Sequence, residues 1–275
     1  MRVFALAAAL SILPGFAIAQ DDNMKQAAKL LDEAAKAYET GKSKEAIELA
    51  EKAIKLDAKN PAQLKLRENE SAAKAFSMVL ELDPKAVAAH DRRGDAYLKS
   101  GKFKEAIADF DKYLEARPKF APDHWRRGIA LYYAGRFKDG ADQFDLHRKV
   151  NPEDVENSAW HYLCNARANN PKKARAEIIP VTKDSRVPMK QVLELFEGKL
   201  KPQDVIEAAE KAKLEGEDLK EARFYANLYV ALYYESEGDV KKCLEHMTAA
   251  VEKYKIGHYM WDVADVHLKL LKAKT

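Results

Sequence analysis

The sequence predicts an all-α protein, a solenoid of antiparallel helical hairpins with a closing helix at its C-terminal end. Three observations carry that expectation. Charged residues make up 33% of the 275 and hydrophobic ones 47%, with only 11 Gly and 10 Pro. Ala, Glu, Lys and Leu dominate, which is the composition of helices rather than sheets. Pro84, Pro118 and Pro152 fall at one even interval, and HDRRGDAYLKSGKFKEAIADF (His90 to Phe110) returns almost unchanged as HWRRGIALYYAGRFKDGADQF (His124 to Phe144). A fixed period of about 34 residues marks stacked units, each too small to bury its own apolar face.

In chain order, the opening segment differs from the rest. MRVFALAAALSILPGFAIA has one basic residue, an apolar run, and Ala17-Ile18-Ala19 as a small-x-small signal before Gln20. That is the pattern of a signal peptide cleaved after Ala19. An uncleaved anchor is the competing reading, but the run is short for a span and Pro14 interrupts it. The expectation is a secreted or periplasmic chain with no stable membrane anchor after cleavage. The net charge of +3 comes from 47 Lys and Arg well mixed with 44 Asp and Glu. Without a concentrated basic stripe, nucleic acid is not an expected partner.

An N-terminal array is expected over residues 20–170. It opens with a unit from Ala27 to Asn60, with Ala34, Gly41, Ala46 and Ala53 in register. The next unit, from Asp57-Ala58 to Asp83-Pro84, falls short of the period by roughly two helical turns. ENESAAKAFSMVLELDP reads as an intact second helix, so the unit near 61–84 has lost its first, and Gln63 to Asp83 is expected as one long helix. Val87 to Pro152 holds two full units. Gly101 and Gly135 mark their turns, and Gly94 and Gly128 face Ala106 and Gly140 where paired helices cross closely. The period continues loosely to Trp160 and Ala174.

Between 171 and 217 the period is lost. IIPVTKDSRVP reads as irregular chain, because Pro180 and Pro188 forbid a continuous helix. VPMKQVLELFEG and KPQDVIEAAEKAK read as short amphipathic helices, the second with Pro202 near its start. Asp218 with Glu221 reads as a capping box for the next helix. Residues 218–275 then form a last hairpin, with Ala231, Tyr234, Gly238, Cys243, Met247 and Ala250 in the repeat slots. HYMWDVADVHLKLLKAKT closes the array as a capping helix.

This pattern of Gly or Ala, then an aromatic or Leu, then Ala, Phe and Pro resembles the tetratricopeptide repeat (TPR). The resemblance implies that first helices line a concave face, second helices form the outer wall, and the role is protein binding without catalysis. HWRRGIALYYAGRFKDGADQF, the Trp160 and Leu163 of WHYL, and ARFYANLYVALYYESEGD further resemble NlpI-like TPR proteins over roughly residues 85–275. That implies a periplasmic adaptor that dimerises and gathers partner proteins, including proteases and cell-wall hydrolases. The lipid-attachment Cys of such adaptors has no counterpart after Ala19.

On the first helix of the unit opening at Ala121, Trp125, Ile129, Tyr132 and Tyr133 share one stripe. The preceding unit carries Asp91, Asp95, Leu98 and Lys99 there. Residues that close the hairpin are kept while those facing the groove have changed. Trp and Tyr combine large apolar area with a hydrogen-bonding group, the chemistry of contact sites. The expected protein-binding groove is therefore Asp91, Asp95, Lys99, Trp125, Arg126, Ile129, Tyr132 and Tyr133, holding an envelope protein or peptide segment. The competing reading is that the stripe is inter-repeat core, or is filled by segment 178–216 or by a second copy in a homodimer. A clamp for peptide C-termini, found in some TPR proteins, needs Lys and Asn at groove positions that here are Asp91, Asp95, Trp125 and Ile129.

Cys164 and Cys243 stand far apart in the chain, inside apolar helix faces. Free buried thiols are expected over a disulfide, although export would permit one. His161-x-x-Cys164 and Cys243-x-x-His246 each place two ligand types on one helix face, so a zinc site is a minor alternative that requires the two pairs to converge. There is no G-x-S-x-G, no H-E-x-x-H and no glycine-rich phosphate loop. His90 and His124 recur at one repeat position, which packing explains. No enzyme and no cofactor is expected.

Overall fold

The computed structural model describes residues 61–273 and scattered positions between Lys29 and Lys52. The expected leader lies outside the described residues, and only single positions of the opening unit fall within them. By internal contacts the chain divides into Met1–Leu64 and Lys65–Thr275. Apart from the first turn of the helix that starts at Pro61, the second unit holds everything that follows.

Among the described residues every regular element is helical. A single 22-residue helix, α1 (Pro61–Leu82), runs where the repeat period is short. Two hairpins follow, α2 (Val87–Lys99) with α3 (Phe103–Ala116), then α4 (Trp125–Tyr133) with α5 (Phe137–His147). A third pairs α6 (Val155–Ala168) with the short α7 (Pro171–Ala176). Two short helices, α8 (Met189–Phe196) and α9 (Pro202–Lys211), lead to the last hairpin. It is made of α10 (Gly216–Ser236) and α11 (Val240–Thr248), the latter running on through a π-turn to Lys253. The closing helix is α12 (Tyr259–Lys272). The fold is an all-α hairpin solenoid with an irregular connection and a C-terminal capping helix.

Backbone geometry explains the period. Gly101 and Gly135 both turn their hairpins at positive φ, 75° and 76°, a conformation that a side chain resists. A Cβ on Gly94 would stand 2.7 Å from the Phe110 ring, and one on Gly128 would stand 2.7 Å from the Phe144 ring. Both phenylalanines are fully buried, so the slots Gly94/Phe110 and Gly128/Phe144 are the same lock used twice.

Where the period fails, charge and aromatic packing take over. Arg186 strings residues 177–188 to the start of α6, reaching Asp154 at 2.8 Å, Glu156 at 2.7 Å and Asp184 at 2.6 Å. Ser158 donates to the Ile179 carbonyl at 2.7 Å. Helix α8 then wedges between α6 and α10 through Phe196, edge-on to Tyr162 at 4.9 Å and to Tyr233 at 5.9 Å. The expected capping box of Asp218 and Glu221 is not formed. Helix α10 starts earlier, with Glu215 at its N-cap and no side-chain cap. Glu217 and Asp218 lie in the first turn instead, where their charge suits the helix dipole.

Candidate functional site

The eight residues expected to line a groove do lie together, on the inner faces of α2 and α4. Among the described residues they form no open groove along both helices, though Trp125 and Ile129 also line a recess. Helix α12 packs on α2 and reaches α4 through Tyr259 and His267. Ile129 is 1% exposed and Tyr132 3%. Trp125 meets Tyr259 edge-on at 4.9 Å, and the Tyr133 hydroxyl lies 3.0 Å from His267 Nδ1. Tyr132 donates to Glu235 of α10 at 2.6 Å. Burial, reinforced by the Glu235 carboxylate, pushes the Tyr132 hydroxyl well above the ordinary tyrosine range. Tyr132 and Tyr133 pack on Trp160 of α6, the inter-repeat core of the competing reading, and the chain's own last helix covers the Trp125 and Tyr133 side. Its apolar face needs cover, and the aromatic stripe supplies it.

The charges expected to steer a partner are likewise consumed inside the molecule. Arg126 spans Asp91 at 2.7 Å and Asp95 at 3.2 Å, and Lys99 sits 2.8 Å from Asp95. Tyr259 of α12 donates to Asp95 at 2.6 Å, and Lys99 reaches Asp262 of α12 at 3.7 Å. Burial alone would raise the Asp91 carboxyl. The hydrogen bond from His124 and the charge of Arg126 outweigh it and hold the group below the usual carboxylate range. Asp95 is lowered in the same way: burial is overcome by Lys99, Arg126 and the Tyr259 hydroxyl.

One inner region is left unfilled. Beside these contacts, between α4, α6, α10 and the loop entering α12, is a cavity of about 780 Å3. Trp125, Trp160, Phe144, Tyr225 and Tyr259 give it aromatic walls, and Asp123, Asp154 and Glu156 bring carboxylates to it. Among the described residues no Lys or Arg lines it. Trp160 is 2% exposed and Asn157 3%, yet Trp160 Nε1 and Asn157 Oδ1 have no hydrogen-bond partner among the described residues. Val150, 49% exposed, stands on the rim. Trp125 and Trp160 stand out in the sequence, whereas Asn157, Tyr225 and Tyr259 do not announce themselves as their neighbours. Their only shared signal is position at the same end of inner helices, which spacing within one repeat does not display.

Profiles of the tetratricopeptide repeat match residues 37–60 and 61–119. This part of the chain carries TPR units. No curated protein sequence matches the chain. Among solved structures, a tetratricopeptide repeat protein from Parabacteroides merdae is 14% identical, with a TM-score of 0.44, covering 90% of this chain and 99% of that one.

The minor zinc alternative does not assemble. Among the described residues no three His, Cys, Asp or Glu side chains group as a metal site. His161 and Cys164 share α6, but the thiol packs against Gly140 of α5 while His161 lies 3.8 Å from Asp145. Cys243 faces His267 of α12, its sulfur 3.9 Å from Nε2, and His246 bonds Asn227 at 3.0 Å. Equal spacing put each pair on one helix face, but the faces look toward different neighbours. Both cysteines are free and buried. Burial pushes the Cys243 thiol up to about 12 and that of Cys164 higher still, which keeps both protonated and inert. Among the described residues no helix is long and apolar enough to cross a membrane.

Proposed function

We propose that this chain is a non-catalytic protein-interaction scaffold of the bacterial cell envelope, exported by its leader and holding a partner segment at the cavity beside α12. The observation that carries this reading is the unfilled, aromatic-walled recess on the inner face of an array whose aromatic stripe is covered from within. TPR units are built to present such faces, and Asn157 and Trp160, which line the recess, each keep a buried polar atom without a partner. The resemblance of residues 85–275 to NlpI-like adaptors supports an envelope setting. A monomer is proposed rather than a homodimer, since the stripe that a second copy would seal is covered by α6, α10 and α12 of the same chain.

Site-specific photocrosslinking in cells tests the scaffold. A benzoylphenylalanine at Val150 or His258, on the rim, is expected to give discrete protein adducts. One at Lys112, on the outer wall, should not. Equal labelling from both positions would remove the cavity as the contact point. Export predicts a mature N-terminus at Gln20 by intact mass, and retention of Met1 would count against it.

A further inference from the structure

Resting on the scaffold reading, we propose that the cavity is a pocket for a lysine or arginine side chain within an extended segment of the partner. Its charge points that way. Asp154 and Glu156 line it and share one cation, Arg186, which also binds Asp184. Three carboxylates thus face a single guanidinium, and Asp123 adds a fourth at the rim. Burial, with Asp154 alongside, raises the Glu156 carboxyl despite Arg186. A second cation would relieve that imbalance.

The walls suit the body of such a side chain. An aliphatic stem packs on aromatic faces, and its charged head gains from the ring quadrupoles of Trp125, Trp160, Tyr225 and Tyr259. Asn157 Oδ1 is buried beside the cavity without a partner, and a side-chain rotation on binding would present it to an ammonium or guanidinium hydrogen. His147 adds another: its Nδ1 is 2.8 Å from the Pro122 carbonyl, so in the neutral ring Nδ1 donates and Nε2 is left as the acceptor.

A free amine does not complete the site. Trp160 Nε1 can only donate, and a cation supplies no acceptor. A basic residue in a peptide supplies both, the charged head for Asn157 and a backbone carbonyl for Trp160, once the two buried side chains turn toward it. Asn157 and Trp160 are one helical turn apart on α6, hence on one face. The volume also lies in the range of ligands larger than a single amine. Acidic segments and phosphate backbones would meet the same carboxylates and be repelled.

The test uses arrays of capped heptapeptides with randomised flanks and a fixed central Arg, Lys, Gln or Glu, probed with the full chain. The best binder is then measured by fluorescence polarisation, with butylamine as a free-cation competitor. Arg and Lys pools are expected to bind at least tenfold tighter than Gln, and Glu pools not at all. Asp123→Asn should weaken binding by about threefold, the scale of an exposed charge pair, without changing Tm. Trp160→Phe should weaken the peptide by about fivefold, the scale of one neutral hydrogen bond, while leaving butylamine unaffected. Equal affinity for Gln and Arg pools would overturn the cation pocket but leave the scaffold standing if the Val150 adducts persist. Binding of butylamine as tightly as peptide, with no effect of Trp160→Phe, would assign a free amine instead. Failure of every pool together with loss of rim adducts would sink the scaffold as well.

Discussion

Hairpins α2–α3 and α4–α5 are near copies on the inside and opposites on the face they turn inward. Each closes through a glycine whose missing Cβ leaves 2.7 Å to a buried phenylalanine ring, Gly94 against Phe110 and Gly128 against Phe144. On the inner face, Asp91, Asp95 and Lys99 of α2 give way to Trp125, Ile129 and Tyr133 of α4. Helix α12 touches both. It meets the polar face through Tyr259 and Asp262 and the aromatic face through Tyr259 and His267. A repeat therefore keeps only what its own hairpin needs. The inner face is free to serve another part of the molecule: the start of α12 is tied to the charged face of α2, and its later turns meet the aromatic face, with the exposed Lys272–Glu252 pair beside them.

Removing the aromatic end should do the most damage. Tyr132→Ala should cost about 4 kcal/mol, as for deletion of a buried aromatic, and lower Tm by roughly 8–15 °C. The register-equivalent Leu98→Ala should cost about 3 kcal/mol, because no hydroxyl bond is lost with it. Denaturant unfolding checks both, and a larger loss at Leu98 would reverse the assignment of the stronger end.

A lesser effect tests the shared lock. Gly94→Val and Gly128→Val should each cost about 2 kcal/mol through overpacking against the fully buried ring. The two values should agree within about 0.5 kcal/mol, the margin expected of equivalent sites. Clear disagreement would show that the hairpins are not equivalent inside.

The mildest perturbation separates the ends by pH. Asp91 and Asp95 are held below their usual range, so their contribution is present above the unfolded carboxylate pKa of about 3.9 and lost as pH falls through the lower folded values. Acidification below about pH 4 should therefore raise amide exchange at Tyr259–Asp262 sooner than at His267–Leu271. Simultaneous release of both segments would count against a polar end held by charge.

Much of the fold was legible because its causes are local. The turn glycines Gly101 and Gly135, the crossing glycines and the even spacing of Pro84, Pro118 and Pro152 all act within or between adjacent hairpins. The long α1 followed from the shortness of its unit. The site was legible only by half. Periodicity placed Trp125, Ile129, Tyr132 and Tyr133 on one stripe, but it says which way a face points, not what covers it. Trp160 of the next unit supplies part of the cover, and the rest begins at Tyr259, several repeats further along the chain. The zinc alternative failed for the same reason, since i, i+3 spacing orients His161 with Cys164 but says nothing of where Cys243 and His246 will point. The capping box at Asp218 failed more locally: its pattern was present, but the helix had already begun at Gly216.

Local sequence was enough for the helical hairpin, its turn and its interior lock, because each depends on residues within one repeat of one another. That α12 lies on the inner faces of α2 and α4, with a recess beside them, was settled only in the assembled chain. The outcome sums the rotation of several stacked units and the bridge strapped by Arg186, and no short window of residues contains that sum.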